Sequence, residues 1–406
     1  MSARRLAKVG ALLLTASVAT ACGSGSSESS SSRDAADSAV IGVIGPKTGP
    51  APQFWTETNR AIQLFAPKIE KQYGVHLTFT YADDAGTPAG ASRAVQTVLN
   101  EDNVDAVMGP PQSAQALQVA DVVGRAQRPW LLHSASNATL VPTAGDTNWA
   151  FRTAYNSDDL SDVSGQVLFA PIDGKDPVVG IIYSADAFGQ AALETFKTYG
   201  EQHGVQVVGE SMQTGATDFN SGISRLKAAG VDSLFINMTS GADIATVTES
   251  MAVDDFDPVR KYATANVLAD YRGLASPSEW KGLYFIDPEN FNGSAYKAIL
   301  SAYKSRFGGV PDLYTTVFNT YAMLDAYAQA VKTAGSGDDY SAVRDALENL
   351  PAVHVEDQSY EKPFGPGDGE LDEPDAADWY VMGFDDTPQG NIVTLGTVQH
   401  CIDKGC

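Results

Sequence analysis

The side chains of this sequence that can do chemistry fall into a few places, and most of them have a plainer explanation. His133 closes the apolar run Trp130-Leu131-Leu132. An imidazole can shuttle a proton near neutral pH. No nucleophile accompanies this one, however, and the chain has only five histidines, so a packed structural role is expected. Asp83 and Asp84 can be imagined as paired acid and base, but they stand just ahead of Thr87-Pro88, a helix start, and helix capping accounts for them. The acidic run from Asp368 to Asp375 lacks the twelve-residue pattern of a calcium loop and reads as solvated. There is no glycine-rich phosphate loop, no zinc-spaced histidine set and no Gly-x-Ser-x-Gly elbow. What remains is a set of serines. Ser113 follows the turn Gly109-Pro110-Pro111 at the start of a helix, and Ser134-Ala135-Ser136 lies between a strand and a second possible helix start. Helix N-termini expose unpaired N–H groups and a partial positive charge, so these positions together can hold a carboxylate without an arginine. Serines there also serve as N-caps, and the two roles are compatible.

The elements that would position these serines alternate. Val40-Ile41-Gly42-Val43-Ile44 is a short β-branched run ended by Gly45-Pro46, the pattern of a strand buried on both faces. A helix over 56–71 follows, with Pro67 expected to kink or shorten it, then a half-buried strand from Val75 to Tyr81. A helix from Thr87-Pro88, a strand at Val104–Met108, a helix over 112–126 and the strand at Trp130–His133 complete the first block. After a break around Tyr155 to Asp159 the rhythm resumes with strands at 178–183, 205–209, 234–236 and near Tyr262, separated by helices. Beyond Lys281 the pattern is helical, at about 293–307, 314–334 and 341–349, with too little strand for a third domain. Two strand–helix blocks require parallel sheets covered by helices on both faces. The fold class is therefore α/β, with two doubly wound parallel-sheet lobes.

The chain has 27 basic and 50 acidic residues, a formal net charge of −23, and 43% hydrophobic residues. It is too apolar to be disordered, and its length suggests two domains. Its charge argues against a nucleic-acid partner. Residues 1–22 read as a secretory signal: Arg4, Arg5 and Lys8 precede a short apolar core that ends in small residues. Val18-Ala19-Thr20-Ala21-Cys22-Gly23 resembles a bacterial lipobox, which would make Cys22 the lipidated residue and anchor the protein to the cell membrane. Residues 23–38, rich in Ser and Gly, read as a disordered tether. Cys401 and Cys406 are expected to form a local disulfide in an oxidising compartment. With only His400 and Asp403 nearby, that tail offers too few ligands for a metal. No metal or cofactor is expected.

Several ordered segments carry a resemblance. Among them are Pro46-Lys47-Thr48-Gly49-Pro50, Tyr81-Ala82-Asp83-Asp84-Ala85-Gly86-Thr87-Pro88, Gly109-Pro110-Pro111-Gln112-Ser113, His133-Ser134-Ala135-Ser136-Asn137, Phe151-Arg152-Thr153-Ala154 and Leu226-Lys227-Ala228-Ala229-Gly230-Val231-Asp232. In order and spacing they resemble the type I periplasmic-binding family, in particular its branched-chain amino-acid-binding subgroup. The resemblance implies a three-segment hinge, with crossings near 155–158, 284–288 and 346–352. The N-terminal lobe would comprise 39–155 and 287–346, the C-terminal lobe 156–286 and 347–406. It implies that Ser113 and Ser134-Ala135-Ser136 hold a ligand carboxylate and that an aromatic residue from Phe54-Trp55 lies over the ligand. Two adjacent aromatics in a Pro-rich loop are in any case poor core candidates. Tyr155 would wall the cleft at the first crossing, and Ser240 and Asn266 would face it from the second lobe. Amino-acid-binding relatives carry an acid after the strand near Tyr262 that pairs with the ligand's ammonium; here Asn266 is nearest, with Asp270 beyond it. An amide supplies no full charge, which puts a plain branched-chain amino acid in question and widens the expected ligand to a small amino-acid-like, carboxylate, amide or aromatic compound. The implied function is that of an extracytoplasmic, monomeric lipoprotein that binds this ligand without chemistry and hands it to an ABC permease. Alternatives are a sensor subunit of the same fold for a membrane receptor, and a secreted hydrolase.

Overall fold

The computed structural model describes residues 37–101, 104–141, 148–269, 280–366, 368–371, 378–387 and 390–405. The first sheet consists of β1 (Ser38–Gly45), β2 (His76–Asp83), β3 (Ala106–Met108), β4 (Trp130–Leu132) and β5 (Ala150–Arg152). Its order is β2-β1-β3-β4-β5, all parallel. Parallel strands need helical crossovers, which bury both faces, and β1 is accordingly buried along most of its length. The crossovers are α1 (Gln53–Tyr73), α2 (Pro88–Gln96) and α3 (Ser113–Ala126). Thr87 caps α2, its hydroxyl accepting from the Gly90 N–H at 3.0 Å, and Pro88 fills the first helical position.

The second lobe repeats the design. It contains α4 (Ser157–Leu168), β6 (Val179–Ser184), α5 (Ala187–His203), β7 (Val207–Met212), α6 (Asn220–Ala228), β8 (Ser233–Asn237), α7 (Gly241–Val253), β9 (Arg260–Thr264) and β10 (Leu283–Asp287). The parallel strands run β7-β6-β8-β9-β10, the same order as the first sheet. The chain then forms α8 (Ser294–Phe307), α9 (Tyr314–Ala334), α10 (Tyr340–Glu348) and the hairpin β11 (Ala352–Val355) and β12 (Gln358–Glu361). It ends with β13 (Tyr380–Phe384), β14 (Ile392–Thr397) and α11 (Val398–Lys404). β13 and β14 pair antiparallel on the β10 edge, so the second sheet is mixed.

Five differences from the sequence reading emerge in the structure. Pro67 does not break α1, which runs on to Tyr73. That helix is clamped along the first core, where Phe65 stacks on Tyr321 of α9 at 4.0 Å, and such packing outweighs local propensity. Phe54 and Trp55 lie in the first turn of this helix rather than in a loop. The last crossing comes later than 346–352: Val353, Val355 and Phe364 are buried in the same core as β1 and α9, and the chain joins the second lobe's core only at Trp379. β10, β13 and β14, which lie on either side of the helical stretch 293–349, were not expected. Finally, part of the acidic run is not solvated. Arg152 pairs backbone to backbone with this segment, its N–H donating to Gly369 O at 2.7 Å and its carbonyl accepting from the Leu371 N–H at 3.0 Å. Its fully buried guanidinium forms a bidentate pair with Glu370. Residues 372–375 of the run lie outside the described residues, as do Cys22, Asp270 and Cys406. Cys401 is disulfide-bonded.

Candidate functional site

In each sheet the crossovers change side between the two central strands, β1 and β3 in the first and β6 and β8 in the second. A crevice opens at the carboxyl ends of strands at such a switch point. Here the two crevices face one another across a cavity of about 440 Å³, within the size range of small-molecule sites.

The first wall comes from the loops after β1, β3 and β4. Gly109 has φ of +82°, and a Cβ there would sit 2.4 Å from the Ile44 carbonyl oxygen, so only glycine fits this turn. The Trp130 indole N–H fixes the turn by donating to the Gly109 carbonyl at 2.8 Å. The turn delivers Gln112 and Ser113 to the start of α3, where Gln112 is the cap residue and Ser113 the first helical one. The Ser113 hydroxyl accepts the Asn137 N–H at 3.2 Å. An oxygen that accepts there keeps its own proton to donate elsewhere. Asn137, not Ser136, caps the short turn at 138–140 by accepting the Thr139 N–H at 3.1 Å. Behind this segment the Arg152 guanidinium donates to the carbonyls of Asn137 at 2.8 Å and Ala135 at 3.4 Å. The carbonyls are thus turned toward a buried cation, away from a ligand's carboxylate.

The second wall comes from the loops after β6 and β8. A Cβ on Gly241 would meet the Ala269 carbonyl oxygen at 2.4 Å, so this glycine lets α7 start against the 265–269 turn. Asp186 caps α5, accepting the Gly189 N–H at 2.9 Å and the Thr239 hydroxyl at 2.8 Å. Asp243, in the first turn of α7, accepts the Gly215 N–H at 2.8 Å. Burial, together with the Asp186 charge, pushes its carboxyl above the usual range. Asn266 spends its amide N–H on the Met238 carbonyl at 3.0 Å and keeps a neutral acceptor.

Of the residues expected from sequence, Phe54, Ser113, Ser134, Ser136, Tyr155, Ser240 and Asn266 line this cleft. Two do not. Trp55 leans edge-on against Tyr81 at 5.7 Å, because consecutive helical residues point in different directions. Ala135 is buried in the core cluster that also holds Leu132 and Val107. His133 is also outside the lining: its Nε2 bonds the Thr58 hydroxyl at 2.8 Å, and burial lowers its pKa to about 4, so the ring is neutral. Asp83 and Asp84 fasten the Thr48 and Ala85–Gly86 backbone rather than capping α2 themselves.

The sequence reading missed Asp186, Asp243 and Phe188, and Thr315, Thr316 and Asn319 near the start of α9. Asp243 follows β8 as Ser113 follows β3, and Asp186 follows β6 as the Phe54 loop follows β1, so the repeated topology was the available signal. The α9 residues carry none, since only the return of α9 to the hinge brings them there.

A family model described as periplasmic binding protein matches residues 38–388. A Leu/Ile/Val-binding protein, BraC3 of Rhizobium johnstonii, is 25% identical over 324 residues, covering 76% of this chain and 83% of its own. A Leu/Ile/Val-binding protein homolog of Brucella melitensis is 26% identical, covering 76% and 82%. Among solved structures, LivJ of Streptococcus pneumoniae in complex with isoleucine superposes with a TM-score of 0.69 at 17% identity, covering 88% of this chain and 99% of that one. A solute-binding protein of Rhodopseudomonas palustris in complex with benzoate gives 0.75 at 14% identity, covering 89% and 96%.

Proposed function

Since the chain belongs to the periplasmic binding protein family, in its type I branched-chain amino-acid-binding subgroup, we propose that it is the extracytoplasmic binding subunit of an ABC importer. Its cargo on this reading is a small amino-acid-like, carboxylate or amide compound. The observation that carries the proposal is the cleft itself: two switch points face one another, and one of them presents Ser113 and Ser136 at strand-to-helix turns. The first lobe takes the carboxylate through main-chain N–H groups and hydroxyls. The second lobe completes the site when the lobes close about the three connecting segments, and the ligand shifts the population toward that closed form because only there does it touch both walls. The permease reads the closed form. Nothing in this cycle makes or breaks a bond, and the neutral His133 outside the cleft fits a protein that binds without catalysis. The 18–23 motif supports a lipid anchor at Cys22, with the protein acting as a monomer.

Isothermal calorimetry with amino acids, aromatic acids and amides tests the reading. One-to-one binding by at least one carboxylate is expected. Ser113→Leu with Ser136→Leu should weaken it by more than about tenfold while unfolding stays cooperative. Unchanged affinity in the double variant would remove the anion site.

A further inference from the structure

The stretches of chain that run between the two lobes meet in one buried cluster. Tyr155 lies on the first, between β5 and α4. Asp287 ends β10, and Glu289 follows it on the second. Before the third, Tyr360 of β12 packs against the first lobe's core; at its end, Trp379 enters the second lobe's core. The Tyr155 and Trp379 rings are 5.5 Å apart. Asp287 stands opposite Tyr380 in the register of β10 with β13, and its Oδ1 accepts the Glu289 N–H at 2.9 Å. The Tyr360 hydroxyl donates to Glu289 at 2.7 Å. That bond joins the exit of a second-lobe strand to a hairpin of the first lobe, so a swing of one lobe on the other bears directly on it.

The cluster leaves polar groups unspent. Asp287 and Trp379 are fully buried, yet Oδ2 of the one and Nε1 of the other have no hydrogen-bond partner. Such groups are costly, and a form of the hinge that admits water relieves them. No lysine, arginine or histidine acts on either acid among the described residues. The groups that face the pair are Tyr155, Tyr360 and Tyr380. On the elements around it, Asp158 of α4 is exposed and accepts the Thr195 hydroxyl, and Asp159 is half-buried. The hairpin's His354, Glu356 and Asp357 engage Ser359, Lys68 and Ser294, and Glu361 is exposed. Two adjacent acids without a cation stay shut in the dark of the fold only while neutral, and burial, with the Asp287 charge acting on Glu289, pushes both up to about 8.

We propose that Asp287 and Glu289 form a proton-operated hinge: the neutral pair holds the lobes together, and loss of a proton opens the cleft, so that closure takes up protons. This rests on the hinged binding-protein reading above and adds a regulation to it. The sign follows from linkage. The closed form keeps its protons up to about pH 8, whereas a hydrated, open hinge releases them at lower pH. The open fraction therefore grows as pH rises toward about 8 and levels off above it.

The test needs no ligand. Spin labels are placed on Lys47→Cys in the first lobe and Gln213→Cys in the second, both exposed and outside the cleft lining. The background is the full chain with Cys22→Ser, since Cys401 is disulfide-bonded. Pulsed electron resonance from pH 5 to pH 9 should show a longer inter-label distance gaining on the shorter one, by up to about tenfold per pH unit for each proton released. Asp287→Asn with Glu289→Gln mimics the neutral pair and should keep the parent's low-pH distribution at every pH. Tyr360→Phe removes the donor that favours ionised Glu289, and the levelling point should move to higher pH. A parent distribution that does not change with pH, one that shifts toward the shorter distance as pH rises, or a shift that persists in the double variant would overturn the switch. A levelling point unmoved in Tyr360→Phe would do the same. A flat distribution leaves the carboxylate site standing, and a carboxylate site that calorimetry fails to find leaves the switch standing.

Discussion

The two walls of the cleft are built on one topology and differ in what backs them. Each presents strand-to-helix turns at the switch point of a 2-1-3-4-5 sheet. Behind the first wall sits a buried cation, Arg152, which engages the carbonyls of 135 and 137 and leaves neutral donors for the ligand. Behind the second no such counter-charge stands among the described residues: its acids lean on backbone N–H groups and one hydroxyl. The same fold therefore gives one face of neutral donors and one face of carboxylates, and the choice is made by a few side chains at the turns rather than by the architecture.

The largest effect on this contrast should come from Arg152→Leu. It removes the guanidinium from Glu370 and from two buried carbonyls, and breaking a buried pair on one side costs about 3–5 kcal/mol. Thermal unfolding should shift down by many degrees, and ligand affinity should fall because the 135–137 segment loses its support. Glu370→Gln keeps one of the two acceptor contacts and all the carbonyl contacts of Arg152, and should cost less. If Arg152→Leu melts within a few degrees of the parent, the first wall does not depend on this cation.

A smaller effect should appear in the pH dependence of stability, and it belongs to the second lobe's connection to the hinge. Asp287 ends β10 fully buried, its Oδ2 without a partner, and burial pushes its pKa up to about 8. Glu289, at the second crossing, is raised to about 8 by burial and by Asp287, although the Tyr360 hydroxyl from β12 donates to it at 2.7 Å. Both acids stay protonated in the fold through a range where the unfolded chain ionises them near pH 4. The unfolded state then binds fewer protons, so stability falls as pH rises from about 4 to about 8 and levels off above that. Asp287→Asn should flatten this slope in a melting series run from pH 4.5 to 9. A parent curve that rises across the window would contradict the assignment.

How much of this was legible in the sequence follows from the same contrast. The alternation of buried strands and helices up to Tyr262 is a local signal, and so are the serines at their turns. Asp186 and Asp243 were legible only by laying the second block over the first, because a carboxylate at a helix start has an ordinary capping explanation. Arg152 and Glu370 are 218 residues apart in sequence, and no periodicity links them. The hairpin Ala352–Val355 and Gln358–Glu361 and the edge strands β13 and β14 follow long helices, and their place is set by which core receives Val353 and Trp379 rather than by propensity.

The smallest expected effect is at the edge of the first wall. Phe54 and Trp55 are neighbours in the first turn of α1, but only Phe54 reaches the cleft, where it also touches Ala269 and Leu313. Trp55 instead packs against Tyr81 and covers Gly45, whose hypothetical Cβ would lie 3.4 Å from its ring. Trp55→Phe keeps an aromatic in that slot and removes no cleft-lining atom, so calorimetric affinity for any ligand should stay within about twofold, with a melting point lowered by the lost ring area. A tenfold loss of affinity would mean that Trp55 comes onto the ligand in the bound state, and the boundary of the first wall would have to be redrawn to include it.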